Sequence, residues 1–331
     1  MAGHPHDVSG YALPDDAGCF PLPVLREGAG LRGILSVEHA LPKILEALGG
    51  VRRVLPDGAV IYTGTNTNTG RWNEARWRAE WGEIAPLALA DMLDNADQPV
   101  TVLRHRIPMI LARTASRIAA RVPQPAEIRS DTGHETVEVV SETISHRGFF
   151  QTRTYRLRHP RFDGRMSAEV EREVFVASDA AIVLPYDPQR DRVLLIEQFR
   201  LGPFGRGDAR PWMLEPVAGR IDAGERAEDA ARRECEEEAG LTLESLEFIT
   251  SYYCSPGCLT EYHHCYLGLA QLPEITQGHA GLSTEHEDIR THVLPFEQAM
   301  KIVATGEADN APLILMLFWL QANRDRLRHT A

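Results

Sequence analysis

Residues 219–241 read Gly219-Arg220-Ile221-Asp222-Ala223-Gly224-Glu225-Arg226-Ala227-Glu228-Asp229-Ala230-Ala231-Arg232-Arg233-Glu234-Cys235-Glu236-Glu237-Glu238-Ala239-Gly240-Leu241. The stretch from Ala227 to Ala239 is rich in Ala, Glu and Arg and predicts a helix, with Gly240 placed as its C-terminal stop. Glu234, Glu237 and Glu238 stand at i, i+3 and i+4, so all three project from one face, while Glu236 points elsewhere. Like charges at this spacing disfavour the helix by about 0.2–0.5 kcal/mol per pair, and acids in the last turn oppose the helix dipole. A sequence that accepts both penalties gains something in return. Hard oxygen ligands on one face suit Mg²⁺ or Mn²⁺. The plain alternative is a solvated acidic helix end.

Outward from this stretch, the 331-residue length predicts two domains. The first region, residues 1–135, reads as a small separate α/β unit. It has a predicted helix at 37–48 ended by Gly49-Gly50 and a hairpin of 51–55 with 59–62 across Pro56-Asp57-Gly58. Further helices are predicted at 85–93 and from Pro108, taken as a first helical position, through 120. No repeat and no chemical motif stands out there. A linker begins at Val122-Pro123-Gln124-Pro125 and continues through Ser130-Asp131-Thr132-Gly133.

Residues 136–331 change character. Strands are predicted at 152–158, 173–176, 180–184, 193–196, 248–253, 263–269 and 290–294. Residues 212–217 lead into the acidic helix, and helices at 296–305 and 311–323 finish the chain. Mixed strands with few helices suit an α+β sandwich. The net charge of −12 argues against nonspecific nucleic-acid binding, which needs a basic surface. No apolar run approaches the ~20 residues of a membrane span, and Met1–Gly10 lacks the basic start and apolar stretch of a signal peptide. The five cysteines are odd in number, and reduced thiols in the cytoplasm are the simplest account.

The spacing Gly219-x5-Glu225-x7-Arg233-Glu234-Cys235-x-Glu237-Glu238-x-Gly240-Leu241 fills every fixed position of the Nudix box. Cys235 stands where an aliphatic residue is more usual, and cysteine behaves as a small hydrophobe. The chain therefore resembles the Nudix hydrolases, which cleave nucleoside diphosphates linked to another moiety with divalent metal. Pro256, sixteen positions beyond Gly240, resembles the ADP-ribose pyrophosphatase subgroup. So do Arg147-Gly148-Phe149-Phe150, Glu171-Arg172-Glu173, Leu195-Ile196-Glu197-Gln198-Phe199-Arg200, Glu215-Pro216-Val217-Ala218-Gly219 and the run from Gly281 to Arg290. The resemblance covers about residues 136–327.

That resemblance implies a Nudix α/β/α sandwich with a mixed sheet, and hydrolysis of ADP-ribose to AMP and ribose 5-phosphate. It implies Glu234, Glu238 and Glu287 as ligands for Mg²⁺ (or Mn²⁺), with the backbone carbonyl of Ala218, and Glu237 as a further ligand. Arg233 and Glu225 read as an ion pair that orients the helix and the preceding loop. Glu285 matches the general base. His286 is a rival on its intrinsic pKa, but adjacent residues entering a strand face opposite ways.

The resemblance further implies that Phe149 and Arg172 sandwich the adenine and that Glu173 makes a polar contact near it. Phe149 and Arg172 would come from the second subunit of a homodimer built by residues 136–178, ahead of a catalytic part at 179–331. Arg200 matches a residue near the phosphates, while Pro256 and Glu261 belong to the substrate loop. Phe149 as plain core and Arg172 as a surface strand residue are the alternatives.

Cys254, Cys258, His263, His264 and Cys265 crowd the same loop. Their types suggest zinc, yet their spacing does not match the paired-knuckle patterns. Two rival readings remain: hydrolysis of another nucleoside diphosphate derivative such as an ADP-sugar or NADH, and a sensor that binds ADP-ribose without cleaving it.

Overall fold

A computed structural model describes residues 5–12, 26–34, 41–54, 60–63, 74–123, 125–130, 132–274, 277–281 and 287–329. The chain divides into two compact units, Met1–Ala177 and Ser178–Ala331.

The first unit begins with two strands, β1 (Pro5–Ala12) and β2 (Arg26–Ile34), paired antiparallel. Helix α1 (Leu41–Ala47) and the hairpin β3 (Val51–Val54) with β4 (Val60–Thr63) follow. Next come helices α2 (Glu74–Trp81), α3 (Ile84–Asp94) and α4 (Val100–Ala119). The helix expected to begin at Pro108 starts eight residues earlier, and Pro108 lies inside it. Leu103, Ile107 and Ile110 are buried on one stripe of α4, so packing outweighs the interior-proline penalty of about 3 kcal/mol. Arg113, itself buried, donates to Asp91 Oδ2 through Nε at 2.9 Å and Nη2 at 2.6 Å, tying α4 to α3. A three-stranded antiparallel sheet, β5 (Glu138–Arg147), β6 (Gln151–Arg158) and β7 (Val170–Val176), completes the unit.

The second unit holds β8 (Ala180–Asp187), β9 (Arg192–Phe199), a short helix α5 (Leu201–Arg206), β10 (Trp212–Glu215), β11 (Val217–Arg220) and α6 (Ala227–Ala239). After these come β12 (Ser245–Tyr253), β13 (Tyr262–Leu269), β14 (Gln277–Ala280), β15 (Ile289–Pro295), α7 (Phe296–Thr305) and α8 (Ala311–His329). Eight strands form one mixed sheet along the path β12-β13-β8-β9-β15-β14, with β10 on β9 and β11 on β8. The β13–β8 pair is parallel and the other pairs are antiparallel.

Strand periodicity explains the layers. In β8, Ile182, Leu184 and Tyr186 join one core with α7 and α8, while Ala181 and Val183 join a second core with α6. In β9, Val193 and Leu195 face the first core, and Leu194 and Ile196 the second. Alternate side chains leave opposite faces, so a strand apolar at every position requires helices on both sides. The result is the three-layer α/β/α sandwich.

β8 and β9 pair only at their hairpin end, Tyr186 with Val193 and Asp187 with Arg192. Beyond it, β11 takes the place beside β8 and β10 the place beside β9. The single segment expected at 212–217 is thus two strands separated by Pro216, which has no N–H to give a ladder. This divergence delivers Ala218 and Gly219 to the start of the box. At the hairpin turn Asp191 has φ +55° and accepts from Tyr186 Oη at 2.8 Å and Arg324 Nε at 2.8 Å. Arg324 also lies 4.4 Å from the Phe296 ring centroid, so one charged cluster joins the turn to α7 and α8. Among the described residues, no helix is long and apolar enough to cross a membrane.

Candidate active site

Helix α6 stops as its sequence predicts: Gly240 has φ +62°, and its N–H and that of Leu241 close onto Glu236 O and Cys235 O at 3.1 and 3.0 Å. Ala230, Ala231 and Cys235 anchor the buried stripe. Glu234 and Glu238 share this inward side, where it meets β11. Gly219 has no Cβ because one would stand 1.9 Å from the Glu234 carboxyl group. The Ala218 N–H donates to Glu238 Oε2 at 3.0 Å. A close strand–helix approach therefore packs two carboxylates of the helix against the backbone of β11.

Arg233 holds this arrangement. Its Nε and Nη2 each donate to the Glu225 carboxylate at 2.9 Å, a two-pronged pair, and Nη2 also donates to Arg220 O at 3.0 Å. Its Nη1 reaches Glu234 Oε1 at 2.5 Å and Glu237 Oε2 at 3.0 Å. Glu225 in turn accepts from the Asp222 N–H at 3.1 Å. One guanidinium thus clamps the loop 220–225 to the helix.

Burial first, opposed by Arg233 but reinforced by Glu237 and Glu287, raises the Glu234 carboxyl pKa to about 7. Burial raises that of Glu238 to about 8 against the pull of the Ala218 N–H, with Glu234 and Glu287 adding to it. Glu238 is only 2 % exposed. Glu287 enters the same carboxylate field from the chain just ahead of β15, and its Cβ lies 3.0 Å from where a Gly281 Cβ would stand. Glu285 and His286 lie outside the described residues.

Arg200, at the end of β9, donates from Nε to Glu215 Oε2 at 2.7 Å. The other oxygen of buried Glu215 accepts from Asn310 Nδ2 at 3.0 Å. The Arg200 charge acts on both Glu238 and Glu261. Pro256 sits in a turn where Leu259 N–H donates to Ser255 O at 3.0 Å. Within the first unit, Phe149 is half-buried with its ring 5.3 Å from His105 and 5.1 Å from Phe150. Arg172 and Glu173 are exposed on β7, opposite Tyr155 and Thr154 of β6.

The NUDIX domain profile matches residues 177–317. An ADP-ribose pyrophosphatase of Escherichia coli (strain K12) is 41% identical over 206 residues, 62% of this chain and 98% of that protein. The chain belongs to the NUDIX family. An ADP-ribose pyrophosphatase of Haemophilus influenzae is 36% identical over 198 residues, 59% of this chain and 91% of its own length. A GDP-mannose pyrophosphatase of Escherichia coli O1:K1 is 30% identical over 187 residues, covering 56% and 96%.

Nudix enzymes of this group work with divalent metal, and the donor set here fits one. Glu234, Glu237 and Glu238 offer hard oxygens, Glu287 adds another carboxylate, and the shared cation Arg233 is already engaged by Glu225. Carboxyl groups whose pKa is raised by burial and by one another become stable anions when a cation joins them. Nothing local in the sequence signals that Asn310, 95 positions from Glu215, steadies the Arg200 anchor. The Cys/His-rich loop separates: Cys265 is buried in the core and His264 meets Asp179, whereas Cys254, Glu261 and His263 converge.

Proposed function

We propose that this Nudix protein is an ADP-ribose diphosphatase, splitting ADP-ribose with water into AMP and ribose 5-phosphate, with Mg²⁺ as its metal. The observation that carries this reading is the carboxylate face of α6, with half-buried Glu234 held by Arg233 and buried Glu238 held by the Ala218 N–H, in a chain so similar to the Escherichia coli ADP-ribose pyrophosphatase. Glu234, Glu238 and Glu287, with the Ala218 carbonyl and Glu237 as further donors, would hold Mg²⁺, which when bound would supply charge neutralisation and a more acidic water. The residues of the chain do the rest. Arg233 and Glu225 keep the helix and its loop in register. Arg200, held by Glu215, directs a cation at the diphosphate, and Pro256 and Glu261 shape the loop beside it. Glu285 takes the proton from the attacking water, two positions from Glu287 on the same segment.

Phe149, Arg172 and Glu173 receive the adenine, and the enzyme acts as a homodimer through residues 136–178. Exposed Val139, Val140 and Phe175 on the three-stranded sheet, with Phe150 in the turn between β5 and β6, support a partner surface there. Among the described residues, Cys235, Cys254, Cys258 and Cys265 are free, which fits a reducing cytoplasm. Purified protein with Mg²⁺ and a panel of ADP-ribose, NADH, ADP-glucose, GDP-mannose and ATP tests the reading by product chromatography. AMP forming fastest from ADP-ribose supports it. Faster cleavage of GDP-mannose would move the substrate class, and saturable ADP-ribose binding without cleavage would make the protein a sensor.

A further inference from the structure

The β12–β13 hairpin aligns Tyr253 with Tyr262 and Tyr252 with His263. Carried one step past the end of β12, this register sets Cys254 opposite Glu261. His263 lies two residues along from Glu261, on the same face of the strand. The three side chains meet as antiparallel pairing requires. Cys254 Sγ lies 3.0 Å from His263 Nε2 and 3.5 Å from Glu261 Oε2, and His263 Nε2 lies 3.4 Å from the same Glu261 oxygen. Tetrahedral zinc with Zn–S near 2.3 Å and Zn–N or Zn–O near 2.05 Å spaces its ligand atoms about 3.3–3.6 Å apart. Two edges of the triangle fall in that window, and the third needs to widen by about half an ångström.

Other features of the trio match a cation site. The second ring nitrogen of His263, Nδ1, meets Tyr252 Oη at 3.5 Å, the outer-partner arrangement of metal-bound histidines. His263 is buried and Glu261 half-buried, while Cys254 is exposed, so an ion has a way in. One thiolate and one carboxylate balance a dication, and binding releases the thiol proton to solvent. The sulfur and nitrogen donors select a softer metal than the all-oxygen box does.

We propose that Cys254, Glu261 and His263 form a second metal site, for a thiophilic divalent cation of the Zn²⁺ class, and that its occupation inhibits turnover. The inhibitory consequence rests on the proposed function, because a bound ion commits the Glu261 carboxylate of the substrate loop to the metal; the binding itself does not. Arg200 links the two sites, since its charge acts on both Glu238 and Glu261.

The test begins with the full chain stripped by chelator and titrated with Zn²⁺ against a chromophoric chelator in excess Mg²⁺. One Zn²⁺ per chain is expected in addition to any at the box. Cys254→Ser is expected to weaken that Zn²⁺ on the order of a hundredfold, and Cys258→Ser to leave it within about twofold. Cd²⁺ should produce a thiolate charge-transfer band that Cys254→Ser removes. Zn²⁺ should inhibit Mg²⁺-supported hydrolysis in the wild type, and Cys254→Ser should relieve that inhibition. Absence of the extra Zn²⁺, or binding that ignores Cys254→Ser, overturns the site. Stoichiometric Zn²⁺ with unaltered turnover overturns the inhibition. A protein inactive on every substrate defeats the proposed function while the Zn²⁺ titration still reads the site.

Discussion

The two sheets of this chain are built on opposite patterns. In the second unit β8 is buried along almost its whole length and β9 nearly so, with apolar side chains leaving both faces. In the first unit β5 and β7 are exposed at most positions, and Val139, Val140, Phe150 and Phe175 face outward. A sheet covered on both sides is a rigid platform, and the carboxylates of α6 rest on its backbone through Ala218 and Gly219. A sheet with apolar residues in the open is a surface that another molecule can cover. On the proposed function, the difference assigns metal chemistry to the buried platform and recognition to the open sheet of the same chain.

The sharpest way to break this comparison is Glu238→Gln. The amide keeps an oxygen for the Ala218 N–H but removes the carboxyl group that would ionise on meeting a cation. Turnover is expected to fall by a factor on the order of 10³ or more, with the thermal melt of the metal-free protein at neutral pH unchanged, because a carboxyl group whose pKa is pushed up to about 8 is already mostly protonated there. Steady-state kinetics with a calorimetric scan decide it; near-normal turnover would remove Glu238 from the metal site.

Asp191→Asn probes the platform at its hairpin turn. Asn tolerates the left-handed backbone there, so the change isolates the charged hydrogen bonds to Arg324 and Tyr186. A loss of about 1.5–3 kcal/mol is expected at neutral pH by denaturant unfolding. Burial works against ionisation of Asp191, but the hydrogen bonds from Arg324 and Tyr186 prevail and hold its pKa below the usual carboxylate value. A depressed folded pKa contributes stability above the unfolded value near 3.8 that is lost as pH falls through the folded value. The gap between wild type and variant should therefore close in strong acid. A gap that persists undiminished there would show that packing, not charge, holds the turn.

Phe175→Ser addresses the open sheet. Monomer stability should move by no more than about 0.5 kcal/mol, as for an exposed position, while sedimentation should show a weakened dimer. A large drop in the melting temperature would mean that this face belongs to the core of the chain.

Much of the second unit was legible because its signals are local. The acidic face and Gly240 stop of α6, the runs of apolar residues in β8 and β9, and the two C-terminal helices all follow from short-range periodicity. The features that escaped depend on distance. Pro108 reads as a helix start, but the buried stripe of Leu103, Ile107 and Ile110 carries α4 through it. The break at Pro216 shows as one segment until β8 and β9 are seen to diverge and accept separate partners. Short elements such as α5 and β14 have too few residues for any period to show.

By itself the sequence determined which residues share a face: Glu234, Glu237 and Glu238 on a helix, and the alternating sides of each strand. Those follow from the geometry of a helix turn and a pleat, which every chain obeys. Only the tertiary structure decided which of these groups lose water and which distant partners they meet. The burial of Glu238 under β11, the Asn310 bond to Glu215 and the meeting of Cys254, Glu261 and His263 come from topology. The physical reason is that desolvation and long-range contact depend on what the rest of the fold stacks above a residue, and no local pattern carries that information.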